Sequence, residues 1–528
     1  TALRHDRHGG AGKAHRRRNP DPLRAGQGDE GASACAQPYG GERLSAPIAE
    51  ALLRYAGCGV APYHTPGHKG GRGAHPLLRR LLTDEGLRAD VSLSAELDDF
   101  HAPTGCIRAA EELAARAYGA DAAFFMVNGT TGAVHTMLMA AAAPGDTVLV
   151  PRNAHRSVVG AMILMGVRPV YLAPEIDPRL GIAMGVSLRT VEHAVQEHPE
   201  ARAALLVHPT YYGVTSELSA IADVLHAHGI LLLTDGAHGA HFAFSEELPP
   251  SAMAAGADLS AESTHKMLGS LTQTSMLLMR GGHVSPERIR AASGVLQTTS
   301  PNEIFLASLD LARAQMEEEG APRIGDLVRR ADDLRRRINA LPGLWAFGAE
   351  HMGAPGMAAL DRTKITVQVM GLGMTGFAAE EELRRRNIAC ELADARNVLF
   401  LLSYADGASE TERLYAALRS MAEECVPRCT SRGAGEAALC GLPSLPQTRL
   451  TPREAYFSPT EHVPAENAVG RTAAETIVFY PPGIPILAPG DVIDAETLRY
   501  LQMMRAVGAR VVGAADASLD TVTVIAKG

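Results

Sequence analysis

Short apolar runs alternate with helix-length segments from about Ser45 to Gly325, and no other feature restricts the fold as strongly. The runs at 147–150, 204–207, 230–234 and 275–279 are dominated by Val, Leu, Ile, Met and Ala. Strands without polar alternation are buried on both faces, so this order predicts a mostly parallel sheet with helices on either side. Ligands in such folds bind beyond the carboxyl ends of the strands. His155, Asp235 and the Thr210-Tyr211 turn fall at such ends.

Asp235 closes the run at 230–234, and Lys266 closes Ser263-Thr264-His265-Lys266 about thirty residues later. A lysine amine forms a Schiff base with an aldehyde cofactor, and a buried carboxylate keeps a pyridine nitrogen protonated, so the pair suits pyridoxal phosphate. Alone, an aspartate after a strand is usually a helix cap, and a His-Lys pair is usually a solvated face. Their surroundings give the pair weight. Asn128-Gly129-Thr130-Thr131-Gly132 follows the apolar stretch 122–127 and opens a buried helix through Ala143, so its free N–H groups and hydroxyls suit an anion. It is neither a P-loop nor a dinucleotide fingerprint, and an ordinary capped turn is the competing reading. In Arg152-Asn153-Ala154-His155-Arg156-Ser157, the His155 imidazole could stack on a planar ring.

These residues, together with His64-Thr65-Pro66-Gly67-His68-Lys69-Gly70, the 97–105 segment, Gln297-Thr298-Thr299-Ser300 and Tyr480-Pro481-Pro482-Gly483-Ile484-Pro485, resemble the group I Orn/Lys/Arg decarboxylase family. The resemblance covers about nine-tenths of the chain. It implies an α/β, aspartate-aminotransferase-like fold of pyridoxal phosphate (PLP) fold type I, with a large domain, a small α/β domain and a small C-terminal domain. The short form is most similar to the biosynthetic arginine decarboxylases. The resemblance also implies that Lys266 carries the cofactor, Asp235 pairs with the pyridine nitrogen, His155 stacks on one ring face and Ala237 packs on the other. Thr130, Thr131, Ser263 and His265 would hold the phosphate. His238 would sit near the phenolic oxygen or the substrate carboxylate. Thr298 and Thr299 would reach a neighbouring subunit's cofactor in a homodimer or an assembly of dimers. Two positions depart from the family: Gly236 stands where an acidic residue is usual, and Glu303 where an aromatic one is.

The implied reaction is α-decarboxylation of a basic amino acid, first of all arginine to agmatine and carbon dioxide in polyamine biosynthesis. Lysine or ornithine decarboxylation, another fold type I activity such as an aminotransferase or aldolase, and a non-catalytic regulator of the polyamine system are the alternatives. The proton given to Cα would come from Lys266 or a nearby histidine. A carboxylate must meet the substrate's distal cation, and position makes Asp394 and Glu475 the candidates.

At 528 residues the chain is long enough for two to four domains. The expected divisions are a basic, disordered tail at 1–44, a large cofactor-binding domain at 45–325, a small α/β domain at 326–425, a linker at 426–450 and a C-terminal domain at 451–528. A net charge of −9 argues against general nucleic-acid binding. Seven cysteines suit a reduced cytoplasmic compartment, and Cys425, Cys429 and Cys440 lack the paired spacing of a zinc site, so no metal is expected. Without an apolar run of about 18 residues, no membrane association is expected.

Overall fold

The computed structural model describes residues 45–92, 97–429, 442–480 and 483–527. The tail expected at 1–44 lies outside them. Seven strands form the main sheet: β1 Ala122–Met126, β2 Thr147–Pro151, β3 Arg168–Leu172, β4 Ala203–Val207, β5 Leu231–Asp235, β6 Leu259–Glu262 and β7 Ser275–Met279. Their spatial order is β1-β7-β6-β5-β4-β2-β3. Strands β6, β5, β4, β2 and β3 pair in parallel, whereas β7 runs antiparallel to both neighbours.

Successive residues of each strand enter opposite cores, which is why the sequence shows continuous apolar runs. Leu231 and Leu233 pack with Val148, Leu205 and Leu277 on one face. Leu232 packs with Leu149, Leu206 and Leu278 on the other. The first face is covered by helices α1 Gly129–Ala141 and α2 Arg156–Met165, whose Val134, Met137, Val158 and Met162 are buried in it.

Helix α3, Glu303–Asn339, is one continuous helix of 37 residues. It runs through position 325/326, where the sequence suggested a new unit, and it serves two cores. Leu306, Leu309 and Met316 belong to the large-sheet core, and Leu327, Leu334 and Ile338 to a second one. The second core lies against an antiparallel sheet of β8 Trp345–Ala346, β9 Lys364–Gln368, β10 Leu392–Ala393 and β11 Asn397–Leu401, in the order β8-β9-β11-β10. Helix α4, Ala408–Cys429, extends beyond the expected start of a linker at 426. A further core gathers Ile477, Phe479, Leu487, Leu498, Leu501 and Val524 toward the carboxyl end. Arg152 donates to Asp491 Oδ2 at 2.6 Å and to Ile486 O at 3.0 Å, tying that end to the edge of the large sheet. Among the described residues, no helix is long and apolar enough to cross a membrane.

Candidate active site

The segments that follow β1, β2, β4, β5 and β6 at one edge of the sheet place polar residues around one cavity of about 270 Å³. Thr130 and Thr131 occupy the first turn of α1, where helix geometry leaves N–H groups without intrahelical acceptors. The Thr130 hydroxyl hydrogen-bonds the Ser263 hydroxyl and lies 3.0 Å from Ser275 Oγ, joining the helix start to the ends of β6 and β7. His155 caps α2: its Nδ1 accepts from Ser157 N at 3.2 Å and lies 2.9 Å from Ser157 Oγ. An acceptor Nδ1 fixes the ring's orientation and leaves its proton on Nε2. Burial lowers the pKa of this imidazole, with Asp235 opposing and Lys266 adding to the effect.

Asp235 ends β5 and is 5% exposed, and its Oδ1 accepts from Ala237 N at 3.2 Å. Lys266 lies in the single helical turn Thr264–Met267 after β6. Burial lowers its pKa, favouring the neutral amine, while Asp235 and Glu391 pull the other way. Its Nζ is 3.0 Å from His238 Nε2. The His238 ring packs on Tyr211 with centroids 4.2 Å apart, and Lys266 Nζ lies 5.7 Å from the Tyr211 centroid. His265 points its Nδ1 at Thr274 O, 2.7 Å away.

Thr130, Thr131, His155, Asp235, Ala237, His238, Ser263, His265 and Lys266 therefore line one cavity, although 136 positions separate the first from the last. The other four sequence candidates do not. Thr298 and Thr299 are exposed and do not line it, and Thr298 O faces His101 Nε2 at 2.9 Å. Asp394 is a turn-forming acid: its Oδ1 accepts from Arg396 N at 2.7 Å and Asn397 N at 2.8 Å, and its Oδ2 from the Tyr212 hydroxyl at 2.7 Å. It lines a neighbouring cavity of about 370 Å³ instead. Glu475 accepts from Thr523 N and Ala515 N, both at 2.7 Å, and so stitches the carboxyl-terminal unit together. Position in the sequence could not reveal that local N–H groups, with the Tyr212 hydroxyl at Asp394, engage both carboxylates.

Three residues passed over in the sequence matter here. Glu391, in the same tetrapeptide as Asp394, accepts from the Tyr211 hydroxyl at 2.5 Å at the edge of the site. Lys364 reaches His238 from the second sheet. Glu262 explains Gly236, because a Cβ at position 236 would lie 2.4 Å from Glu262 Oε1. The acid missing after Asp235 is thus replaced in space by a buried carboxyl from β6. Burial pushes Glu262 up to about 8, Asp235 pushes the same way, and the Ser260 hydroxyl bond at 2.6 Å opposes. Glu303, the second departure, is buried at the start of α3, away from the cavity, and burial beside Asp98 raises it to about 7.

The donor set fits pyridoxal phosphate: an amine of lowered pKa, a buried carboxylate at a strand end, an imidazole face and a hydroxyl-rich helix N-terminus share one cavity. The profile described as Orn/Lys/Arg decarboxylase, major domain, matches residues 46–352, and the C-terminal domain profile of the same family matches 439–516. An arginine decarboxylase of Bacillus anthracis is 41% identical over 480 residues, which is 91% of this chain and 97% of that protein. One from Bacillus subtilis is 39% identical over 480 residues, with the same coverage. The crystal structure of the Francisella novicida lysine decarboxylase superposes with a TM-score of 0.79 at 23% identity, covering 91% of this chain and 81% of that one, and shares the fold. The chain belongs to the Orn/Lys/Arg decarboxylase family.

Proposed function

We propose that this protein decarboxylates arginine to agmatine and carbon dioxide with pyridoxal phosphate, as a supply step for polyamine synthesis. The observation that carries the reading is the meeting of the Lys266 amine, the Asp235 carboxylate and the Thr130–Ser263 hydroxyl pair in one cavity. The choice of arginine rests on the 41% identity to an arginine decarboxylase along nearly the whole of both chains.

When bound, the cofactor supplies the electron sink for the bond to the departing carboxylate. Lys266 presents a mostly buried amine for covalent attachment, and Asp235 presents a carboxylate to the pyridine nitrogen. Thr130, Thr131, Ser263 and His265 surround the phosphate position. His155 and Ala237 bound the ring slot from two sides, and Gly483 closes over His155, whose ring atoms lie 3.3 Å from where a Cβ would stand. Replacing a carboxylate by hydrogen requires one proton at the substrate Cα, and Lys266 and His238 are the N–H groups placed to deliver it. Glu391 offers the distal guanidinium a carboxylate at the rim. We further propose a homodimer in which Thr298 and Thr299 face the partner's cofactor, since both are exposed and neither lines its own cavity.

The test is carbon dioxide release from arginine, lysine and ornithine in parallel, with borohydride reduction and peptide mapping of the attachment site. Release from arginine above the other two, with the label on Lys266, is expected. Preference for lysine or ornithine overturns the substrate assignment, and a label elsewhere overturns the site.

A further inference from the structure

A second buried lysine stands behind the site. Lys364 is 1% exposed and opens β9. It reaches the large sheet because two segments are zipped together: Ala359 and Leu360 pair with Thr215 and Val214, and Asp361 N donates to Gly213 O at 2.8 Å. Gly213, at φ +88°, has no side chain to block the lysine stem, since a Cβ there would lie 3.0 Å from Lys364 Cδ. Lys364 Nζ therefore arrives 3.0 Å from His238 Nδ1, on the opposite side of the imidazole from Lys266, whose Nζ is 3.0 Å from Nε2.

We propose that Lys364 is a positioning residue that donates to His238 Nδ1 and thereby fixes the imidazole proton on Nε2, facing Lys266. The inference rests on the proposed reading of Lys266 as the cofactor-bearing amine. An ammonium has three donors and no acceptor, so a charged Lys364 leaves Nδ1 only the acceptor role. The proton of a neutral ring must then sit on Nε2. Burial, with Lys364 and Lys266 adding to it, drives His238 well below the usual imidazole range, so the ring is neutral. The groups facing Lys364 decide its own charge. Asp361 and Glu391 favour the ammonium, while Lys266 and burial disfavour it, and the balance is about 8. Arg335 meets Lys364 at its backbone, where Nη2 donates to the carbonyl at 2.8 Å while the rest of the guanidinium serves Phe347 O, Arg362 O and Asp332. Asp361 is ionised throughout: burial raises it, but the nearby His241, Lys364 and the Thr363 bond outweigh burial and leave it at about 2. Below pH 8 the donor is thus charged and the tautomer locked. Above it, the neutral amine can either donate or accept, so the ring is no longer confined to one tautomer.

Long-range 15N–1H spectra of the full-length protein with labelled histidine, assigned by His238→Gln, read the tautomer directly. The wild type is expected to hold the Nε2–H form at pH 7 and to lose it as pH passes about 8. Lys364→Arg, whose guanidinium cannot accept a hydrogen bond, should keep that form to higher pH. Lys364→Met should lose it at pH 7 and lower kcat by roughly 10²-fold, the lower range for a proton donor, with KM unchanged. An Nδ1–H ring in the wild type at pH 7, or the same tautomer in folded Lys364→Met, overturns the proposal. Should Lys364→Met not fold, the wild-type and Arg titrations still decide it. Cofactor uptake is read separately from absorbance: a protein that never takes up pyridoxal phosphate sinks the proposed function, whereas the tautomer decides the role of Lys364 in either case.

Discussion

Glu262→Gln should make the protein more stable at alkaline pH and leave it nearly unchanged at pH 5. The Glu262 carboxyl is 4% exposed, and burial raises it from 4.5 to about 8. Between those values the folded chain holds a proton that the unfolded chain has lost. Stability therefore falls as pH rises through this window, by about 1.36 kcal/mol for each pH unit. Across the whole window the loss amounts to roughly 4–5 kcal/mol, complete once pH exceeds the folded value. Glutamine has the same shape, cannot ionise and can still accept from the Ser260 hydroxyl, so it removes the loss without opening a cavity. Urea midpoints of wild type and variant at pH 5, 6, 7, 8 and 9 give the difference, in which all other titrations cancel. The variant should gain steadily from pH 5 to 8 and then level off. A difference that stays constant with pH would refute the reasoning, because Glu262 would then carry the same charge in both states.

Two further outcomes are expected. Arg152→Met leaves Asp491, whose carboxylate is completely buried, without its cation, and breaking such a pair costs about 3–5 kcal/mol; urea unfolding monitored alongside proteolysis of the 452–527 region measures it. Mixing Lys266→Ala subunits with Thr298→Ala/Thr299→Ala subunits, each nearly inactive alone, should restore activity in the hybrid if the sites are shared across a dimer. No recovery despite proven hybrid formation counts against that arrangement.

Much of the large sheet was legible because its strands are buried on both faces. The runs at 147–150, 204–207 and 230–234 fall on β2, β4 and β5 to within a residue at each end. The direction of β7 was not legible, since a buried strand reads the same either way along the chain. The position expected at 325/326 falls inside α3, near the point where the helix passes from one core to the other: its residues up to Ile324 pack in the large-sheet core and those from Ala331 in the second. Glu391 sits three residues before Asp394, the acid that position had favoured, and nothing in the sequence ranks the one above the other. Only the hairpin turn between β10 and β11, which spends Asp394 on its own N–H groups, separates them.

The sequence by itself determined which polar residues gather at the site. Strand-end residues followed by a glycine-containing turn or a helical turn must gather at one edge of a parallel sheet, so Thr130, His155, Asp235 and Lys266 were bound to converge. What only the tertiary structure decided is what surrounds them. Lys364 lies 98 positions from Lys266, yet His238 bridges the two amines, because the pairing of 359–360 with 214–215 folds the second sheet against the first. Glu262 fills the space left at Gly236 because adjacent strands bring their ends together. Local pattern fixes which face and end of an element a residue occupies, but long-range pairing fixes which other element it meets, and a buried charge takes its protonation state from that meeting.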